Sequence, residues 1–429
     1  MKRPILILYF ILAITWQPLV RAEQLSLPPK TDELRDLVEE ALNNNPELKA
    51  ARNEWKAAQR RVPQASALPN PTAGYSIMGP SMIETRNGPI KNSYEFEQMI
   101  PFPGKLVGRR HVAKAEAMAA QSRMNAVKQE IIFKVSEAYY DLVTTQKTTV
   151  LVKEIKNALK EEEAALQARY EANKIGQSEL IKIQMSISDT IERLFVLEQK
   201  HDTLEALLQS FLNRPSPVEV KTLDLHLPSV NFSLDDVQNR ARDNQPQLKE
   251  SEAMAQKSEY AFNLAKLENA PDFSIGFQYS RIGVGDSTSP DAGRDVWMIP
   301  VTITLPIWQN RIGSAIEEAH ANLEAARQQL KQTQNSTDYE VKAAYYRFVT
   351  AQKTVSLYEN ALIPQAQIMT RSDEAGYEAG RTDVVNFVSS RINLFNIQIT
   401  YYEALANALK ELAALHREVG TDLIPGEQI

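Results

Sequence analysis

From Gly104 to Tyr170 apolar residues recur at helical spacing with no interior proline, and Ile131, Val135, Ala138 and Leu142 share one face. This predicts one uninterrupted helix over 104–170, about 100 Å long at 1.5 Å per residue. No globular core needs that length, so it implies a coiled-coil-like assembly or a rod. The chain should turn near Asn173–Gly176 and return as a helix over 177–212. A second pair is predicted over 308–379 and 384–417, with Val341, Tyr345, Phe348, Gln352 and Val355 on one face and Pro364 a possible bend. Other segments carry a period of two. In 272–283, Phe273, Ile275, Phe277 and Tyr279 alternate with Ser274, Gly276, Gln278 and Ser280. Segment 295–306 places Val301, Ile303 and Leu305 against Thr302 and Thr304, and strands are also expected at 70–79 and 91–100. Ten-residue strands, apolar on one side and polar on the other, suit a membrane barrel wall. Four of them cannot close a barrel, so the sheet is either open and covered or pooled among several chains.

The pattern is written twice. "NNNPELKAARNEWKAAQ" from Asn43 returns as "RDNQPQLKESEAMAQKSE" from Arg242, with Pro46 and Leu48 matching Pro246 and Leu248. Pro71 matches Pro271, Pro101 matches Pro306, and Gly108 matches Gly313. "EAYYDLVTTQKT" from Glu137 matches "AAYYRFVTAQKT" from Ala343, and "YEANK" from Tyr170 matches "YEAGR" from Tyr377. The order holds while the offset drifts from 200 to 207, which marks an internal duplication. Its expected parts are 23–213 and 234–419, joined by a proline-bearing linker over 214–233 and followed by a tail over 420–429. Each half opens with a helix, about 34–66 in the first, that Pro46 or Pro246 kinks or breaks. Thr31 or Asp32 could cap the first, and Ser233 or Asp235 its copy.

Between strand and rod stands "QMIPFPGKLVGRR". Pro101, Pro103 and Pro306 fit where a ladder ends, and Pro103 would sit in a first helical turn that needs no donor. Gly104, Gly108 and Gly313 permit close approach or a sharp change of direction. These residues are expected to form a joint between sheet and rod.

Composition narrows the function classes. The 429 residues carry a mixed net charge of −6, with no basic footprint for nucleic acid. Lys2 and Arg3 precede an apolar run from Ile5 to Ile14, then Val20-Arg21-Ala22, which reads as a signal peptide over 1–22. The run is short for a membrane anchor, the alternative reading. With no cysteine there are no disulfides, thiolate sites or lipidated cysteine. His111, His201, His226, His320 and His416 do not pair with one another at metal-ligand spacing, and Glu317 with His320 reads as an exposed polar face. No nucleotide, hydrolase or metalloprotease motif is present, so neither an enzyme nor a metal or cofactor site is expected.

Taken together, "NNNPELKAARNEWKAA", "LPNPTAGY", "QMIPFPGKLVGRR", "EAYYDLV" and "YEAGRTDVVNFV", in this order and duplicated, resemble the TolC family of outer membrane efflux proteins. "PFPGK" looks closest to the branch serving metal-exporting RND pumps, the CusC and CzcC type. The resemblance implies a mainly α protein with a membrane β-barrel. Three protomers would each give four strands to a trimeric 12-stranded barrel above a long α-helical periplasmic tunnel. It implies a passive channel in the outer membrane of a Gram-negative bacterium, fed by an inner membrane pump, RND type in this branch, through a periplasmic adaptor. The turns would form the periplasmic tip and the adaptor docking surface: Asn173, Lys174, Ile175 and Gly176, with Gly380, Arg381, Thr382 and Asp383. Asp383, beside a basic residue, is expected to help hold that tip closed. Some members carry a lipidated cysteine, whereas here the barrel alone would anchor the protein. An adaptor would show one helical hairpin, a lipoyl-like domain and no duplication, and a structural coiled coil would lack the amphipathic strands. The cargo is left open, since the pump selects it and the exit duct needs no ligand residues.

Overall fold

A computed structural model describes residues 32–79, 84–218, 220, 224–228, 230, 232–285, 288 and 290–423. The expected signal peptide and the possible Thr31 cap lie outside them. The first repeat runs α1 (Asp32–Asn44), α2 (Pro46–Ala65), β1 (Thr72–Ile77), β2 (Glu84–Thr85), β3 (Gly88–Ile100), α3 (Lys105–Glu171) and α4 (Gln177–Leu212). The second runs α5 (Leu234–Asn244), α6 (Pro246–Leu267), β4 (Asp272–Ile282), β5 (Val296–Met298), β6 (Val301–Thr304), α7 (Gln309–Leu357), a π turn (Tyr358–Leu362), α8 (Ile363–Glu378) and α9 (Val384–Val419).

Pro46 and Pro246 break their helices rather than kink them. Each becomes the first residue of a new helix, where its missing N–H is no loss. Asn45 Oδ1 accepts from the backbone of Glu47 and Leu48, and Gln245 Oε1 from Gln247 and Leu248. Asn45 also donates to the Phe211 carbonyl at 3.1 Å, pinning the first break to the end of α4. Ser233, not Asp235, accepts from Asp236 N and caps α5.

The α3 helix is 67 residues without interruption. It packs against α2 and α6 towards the sheet and against α4 and α9 towards the turns, while α7 packs on α6 and α9. The paired positions Ile131 and Thr337, Val135 and Val341, Ala138 and Ala344, and Leu142 and Phe348 are all buried, at a constant offset of 206. Tyr345 packs against the same cluster as Val341 and Phe348, and Tyr345 and Gln352 send their polar ends to the Phe232 and Val230 carbonyls at 3.1 and 3.4 Å. Gln146, the duplicate of Gln352, reaches the Val220 carbonyl at 3.3 Å, so the linker is strapped to both repeats. Beyond the π turn the offset becomes 207, and α4 and α9 match over 36 residues each. The wide turn takes up the extra residue, and Pro364 lies just after it in place of a simple bend.

The sheet has the order β1–β3–β4, all antiparallel, with β5 and β6 both on the far side of β4. The last strand, expected as one piece over 295–306, is split at Pro300, which has no N–H to give the ladder. Its carbonyl still accepts from Gly276 N at 2.8 Å, and a Cβ on Gly276 would lie 2.8 Å from the proline ring. Among the described residues no helix is long and apolar enough to cross a membrane.

The chain after α9 turns back through Gly420, in the left-handed conformation at φ 79°, and buries Leu423 against α5 and α7. This sets Asp422 3.8 Å from buried His416. Burial pushes His416 down to about 4 and Asp422 up to about 6, so both favour their neutral forms. Stabilisation by protonated Asp422 is present below its ordinary range and lost as pH rises through about 6. That by neutral His416 is present above its ordinary range and lost as pH falls through about 4. Asp422→Asn is therefore expected to raise the thermal midpoint by a few degrees, roughly 2–4 °C, at pH 8 and by clearly less at pH 5, the gain vanishing only below the ordinary carboxylate range. Melting followed by circular dichroism at the two pH values checks this, and an equal gain at both contradicts it.

Candidate functional site

Strand register sorts the sheet into two chemically distinct faces. Cross-strand partners lie on the same side, so Tyr75, Tyr94, Tyr279 and Trp297 form one row, and Phe96, Phe277, Ile275, Val301, Phe273 and Ile303 continue that face. Neighbouring tyrosine rings in the row stand 5.0 and 6.4 Å apart. These residues are largely exposed, with Trp297 at 65% and Val301 at 66%. The other face carries Thr72, Ser76, Ser93, Glu95, Glu97, Ser274, Gln278, Ser280, Thr302 and Thr304. An apolar face with an aromatic row belongs against lipid, and the polar face against water. The outer edges, β1 on one side and β5 with β6 on the other, have no strand partner among the described residues.

The joint is built around a residue the sequence reading passed over. Lys105, the first residue of α3, is 2% exposed, and its Nζ lies 2.9 Å from Asp272 Oδ1 and 3.6 Å from Glu268 Oε2 and donates to the Ala270 carbonyl at 3.0 Å. Asp272 Oδ1 also accepts from Phe102 N at 2.8 Å. One buried cation thus ties the start of the long helix to the start of β4. Gly104 makes this possible by turning the chain at φ 108°. Pro101 ends the ladder and Pro103 lies in the turn before the Gly104 cap, not in the first helical turn as expected. Gly108 admits Leu264 of α6 so closely that a Cβ would lie 3.0 Å from it. Pro306 accepts from the Gln309 side chain at 2.7 Å, and Gly313, on the open side of α7, has no neighbour within 4 Å of a Cβ position. The signal for the lock was a pair of opposite charges, in "PFPGK" and "NAPDF", Lys105 two residues after Pro103 and Asp272 directly after Pro271.

At the opposite end the two helix turns are near-copies. Asn173 and Gly380 adopt positive φ, 51° and 66°. Lys174 N bonds the Arg169 carbonyl at 2.9 Å, and Arg381 N bonds that of Gly376 at 2.8 Å. Ile175 is half-buried against the hairpin core and Gly176 caps α4. Gly376 has no room for a Cβ, because Thr382 Oγ1 would lie 2.3 Å from it. Asp383 precedes α9, and its charge partner is not neighbouring Arg381 but Arg169 on the other hairpin, held two-pronged at 2.6 and 2.8 Å. That hydrogen bond holds the Asp383 carboxyl below its usual range. Glu162, 7% exposed beside it, is pushed up by burial and by the Asp383 charge.

No converging catalytic set was found among the described residues. Among the described residues, the one cluster with metal-ligand geometry, His201, Asp202 and Glu205, lies on a single turn of α4 in which Glu205 already accepts from Val218 N at 3.1 Å.

The profile of the family described as Outer membrane efflux protein matches residues 37–214 and 237–421, one segment for each repeat. The chain belongs to that family. It is accordingly an outer membrane efflux channel that extends into the periplasm. Such channels are not enzymes, and they work with a periplasmic adaptor and an inner membrane pump. Cobalt-zinc-cadmium resistance protein CzcC of Cupriavidus metallidurans is 20% identical over 386 residues, 89% of this chain and 88% of that protein. The fold matches the solved structure of CusC with a TM-score of 0.72 at 16% identity, covering 91% of this chain and 92% of that one. It also matches the open state of the MtrE outer membrane channel of Neisseria gonorrhoeae with a TM-score of 0.75 at 16% identity, covering 92% and 91%.

Removing the cation of the joint leaves the half-buried Asp272 carboxylate with the Phe102 N–H but without its charge partner. Lys105→Met is expected to destabilise this efflux protein by about 3–5 kcal/mol, and Lys105→Met with Asp272→Leu to restore much of the loss. Denaturant melts of the three proteins in detergent read this, and a fully additive double variant contradicts it.

Proposed function

We propose that three copies of this chain form a homotrimer whose twelve pooled strands close one barrel in outer membrane lipid. The helices would continue it as a periplasmic tunnel, and the duct would carry metal cations released by an RND-type pump. The observation that carries the reading is the sheet: apolar on one face, polar on the other, with both edges unpaired. Open edges cannot stand in hydrocarbon, where backbone groups have no water to bond. The helical layer is likewise open at both ends. Ile181, Met185, Phe195 and Val196 lie exposed on α4, and Ile368 and Met369 on α8. We read the chain as signal peptide 1–22, repeats 23–213 and 234–419, linker 214–233 and tail 420–429. The matched segments 37–214 and 237–421 support that division.

Glu95 and Glu97 would face the lumen, and a carboxylate-lined wall favours cations. A metal cargo is further supported by the relative named for cobalt, zinc and cadmium resistance. The turns at Asn173–Gly176 and Gly380–Asp383 would form the periplasmic tip on which adaptor helices dock. The Arg169–Asp383 pair would hold the hairpins of one chain together there.

The test of the cargo is growth of a deletion strain, with plasmid rescue, on cobalt, zinc, cadmium, copper and nickel salts and on dyes, detergents and antibiotics. Selective metal sensitivity cured by the intact gene is expected, and sensitivity to amphiphiles alone contradicts it. For the tip, Asp383→Ala is expected to raise the frequency of open events in planar-bilayer recordings several-fold. Unchanged opening and conductance would remove Asp383 from that role.

A further inference from the structure

The duplication gives every contact between the two repeats a counterpart at the edge of the chain. Within one chain, α3 of the first repeat lies against α6 and α9 of the second. If copies form a ring, as proposed above, α7 and α8 of one copy lie in the same way against α2 and α4 of the next. The inference below rests on that reading.

The contact inside the chain is laced with ion pairs along its whole length. Glu116 meets Lys257, and Arg123 meets Glu250 at 3.2 Å. Glu130 meets Arg417 at 3.2 Å and Asp141 meets Lys410 at 2.8 Å. Glu161 meets Arg391 at 2.7 Å, and the series ends at Lys105–Asp272 above and Arg169–Asp383 below.

Their duplicates follow from the offsets, 200 for α2 and α6, 206 for α3 and α7 below the joint and above the π turn, and 207 beyond it and for α4 and α9. Glu116 and Lys257 become Asn322 and Ala57, and Arg123 and Glu250 become Gln329 and Ala50. Glu130 and Arg417 become Ser336 and Ser210, and Glu161 and Arg391 become Ile368 and Gln184. Arg169 and Asp383 become Gly376 and Gly176. Asp141 and Lys410 become Arg347 and Thr203, a charge facing a hydroxyl. At the joint Asp272 becomes Thr72, and the stretch Ala65–Ser76 holds no acid to meet whichever residue stands for Lys105. No duplicate brings an acid to a base. Most of these duplicates are open on the single chain: Ile368 is 66% exposed, and Ala50, Ala57, Gln184, Ser210, Asn322 and Gln329 are exposed too.

We propose that the seam between copies, where the α7–α8 edge of one meets the α2–α4 edge of the next, is held without the ion pairs that clamp the two repeats of one chain. Each protomer is then an electrostatically stapled body, and none of its staples is repeated where the ring closes.

The experiment uses the full chain extracted in detergent, where the absence of native cysteine makes any introduced pair unambiguous. Gln184→Cys with Ile368→Cys is expected to give a covalent trimer ladder on oxidation, and neither single variant to do so. The native trimer is expected to dissociate on heating at the same midpoint in about 50 mM and about 1 M salt, although at 1 M the screening length falls to roughly 3 Å. Gln184→Arg with Ile368→Glu rebuilds the missing clamp. It is expected to raise the dissociation midpoint by several degrees at low salt only, with neither single change doing so. A trimer that fails to cross-link overturns the seam while leaving the trimer standing. A native midpoint that falls with salt as the rebuilt one does overturns its uncharged character. A protein that is monomeric in native detergent solution overturns the trimer reading, and the seam with it.

Discussion

A backbone N–H or C=O left unpaired in hydrocarbon is so unfavourable that only helices and closed barrels cross a membrane. No helix described here is long and apolar enough to cross one, and its sheet has two unpaired edges. The remaining design follows from that constraint. The strands are sided, so that one face meets lipid while the other stays polar. In the proposed trimer the edges would pair with another copy. The helices behind the sheet are long because they must carry a wall of the same curvature through the periplasm.

Two structures of different geometry must then be joined without a gap. A strand pair repeats at about 4.8 Å and packed helices at about 8–10 Å, so the chain has to change both direction and spacing within a few residues. Lys105 does this by placing one buried ammonium among an Asp272 carboxylate, a Glu268 carboxylate and the Ala270 carbonyl. Removing such a partner is far more damaging than exchanging the whole group for apolar atoms. The lock therefore reads as a fixed angle between sheet and rod more than as a source of net stability.

Much of this was legible in the sequence because it is periodic. A 67-residue helix without proline announces itself, and alternation in "DFSIGFQYS" assigns the two faces of β4. Duplication located the joint and both turns, and Asn173 and Gly380, which hold matching places, share a left-handed backbone. What stayed hidden depends on residues far apart in the chain. The partner of Asp383 lies 214 positions away, while an arginine two residues off drew attention instead. Pro300 looked compatible with a strand until the register placed it opposite Gly276. The π turn could be felt only as a one-residue drift between the copies, since a helix that absorbs an insertion leaves no trace in composition.

The internal duplication has a consequence for what such a ring can encode. Six identical half-chains would meet at six identical boundaries, and any charge placed at one would appear at all of them. Covalent fusion of two halves splits those boundaries into three that are inherited within a polypeptide and three that must be found by diffusion. Only after that division can substitution treat the two kinds separately, making the inherited boundary specific and permanent and the encountered one permissive. In this chain the asymmetry between its halves is written in residues such as Arg169 against Gly376 and Asp272 against Thr72.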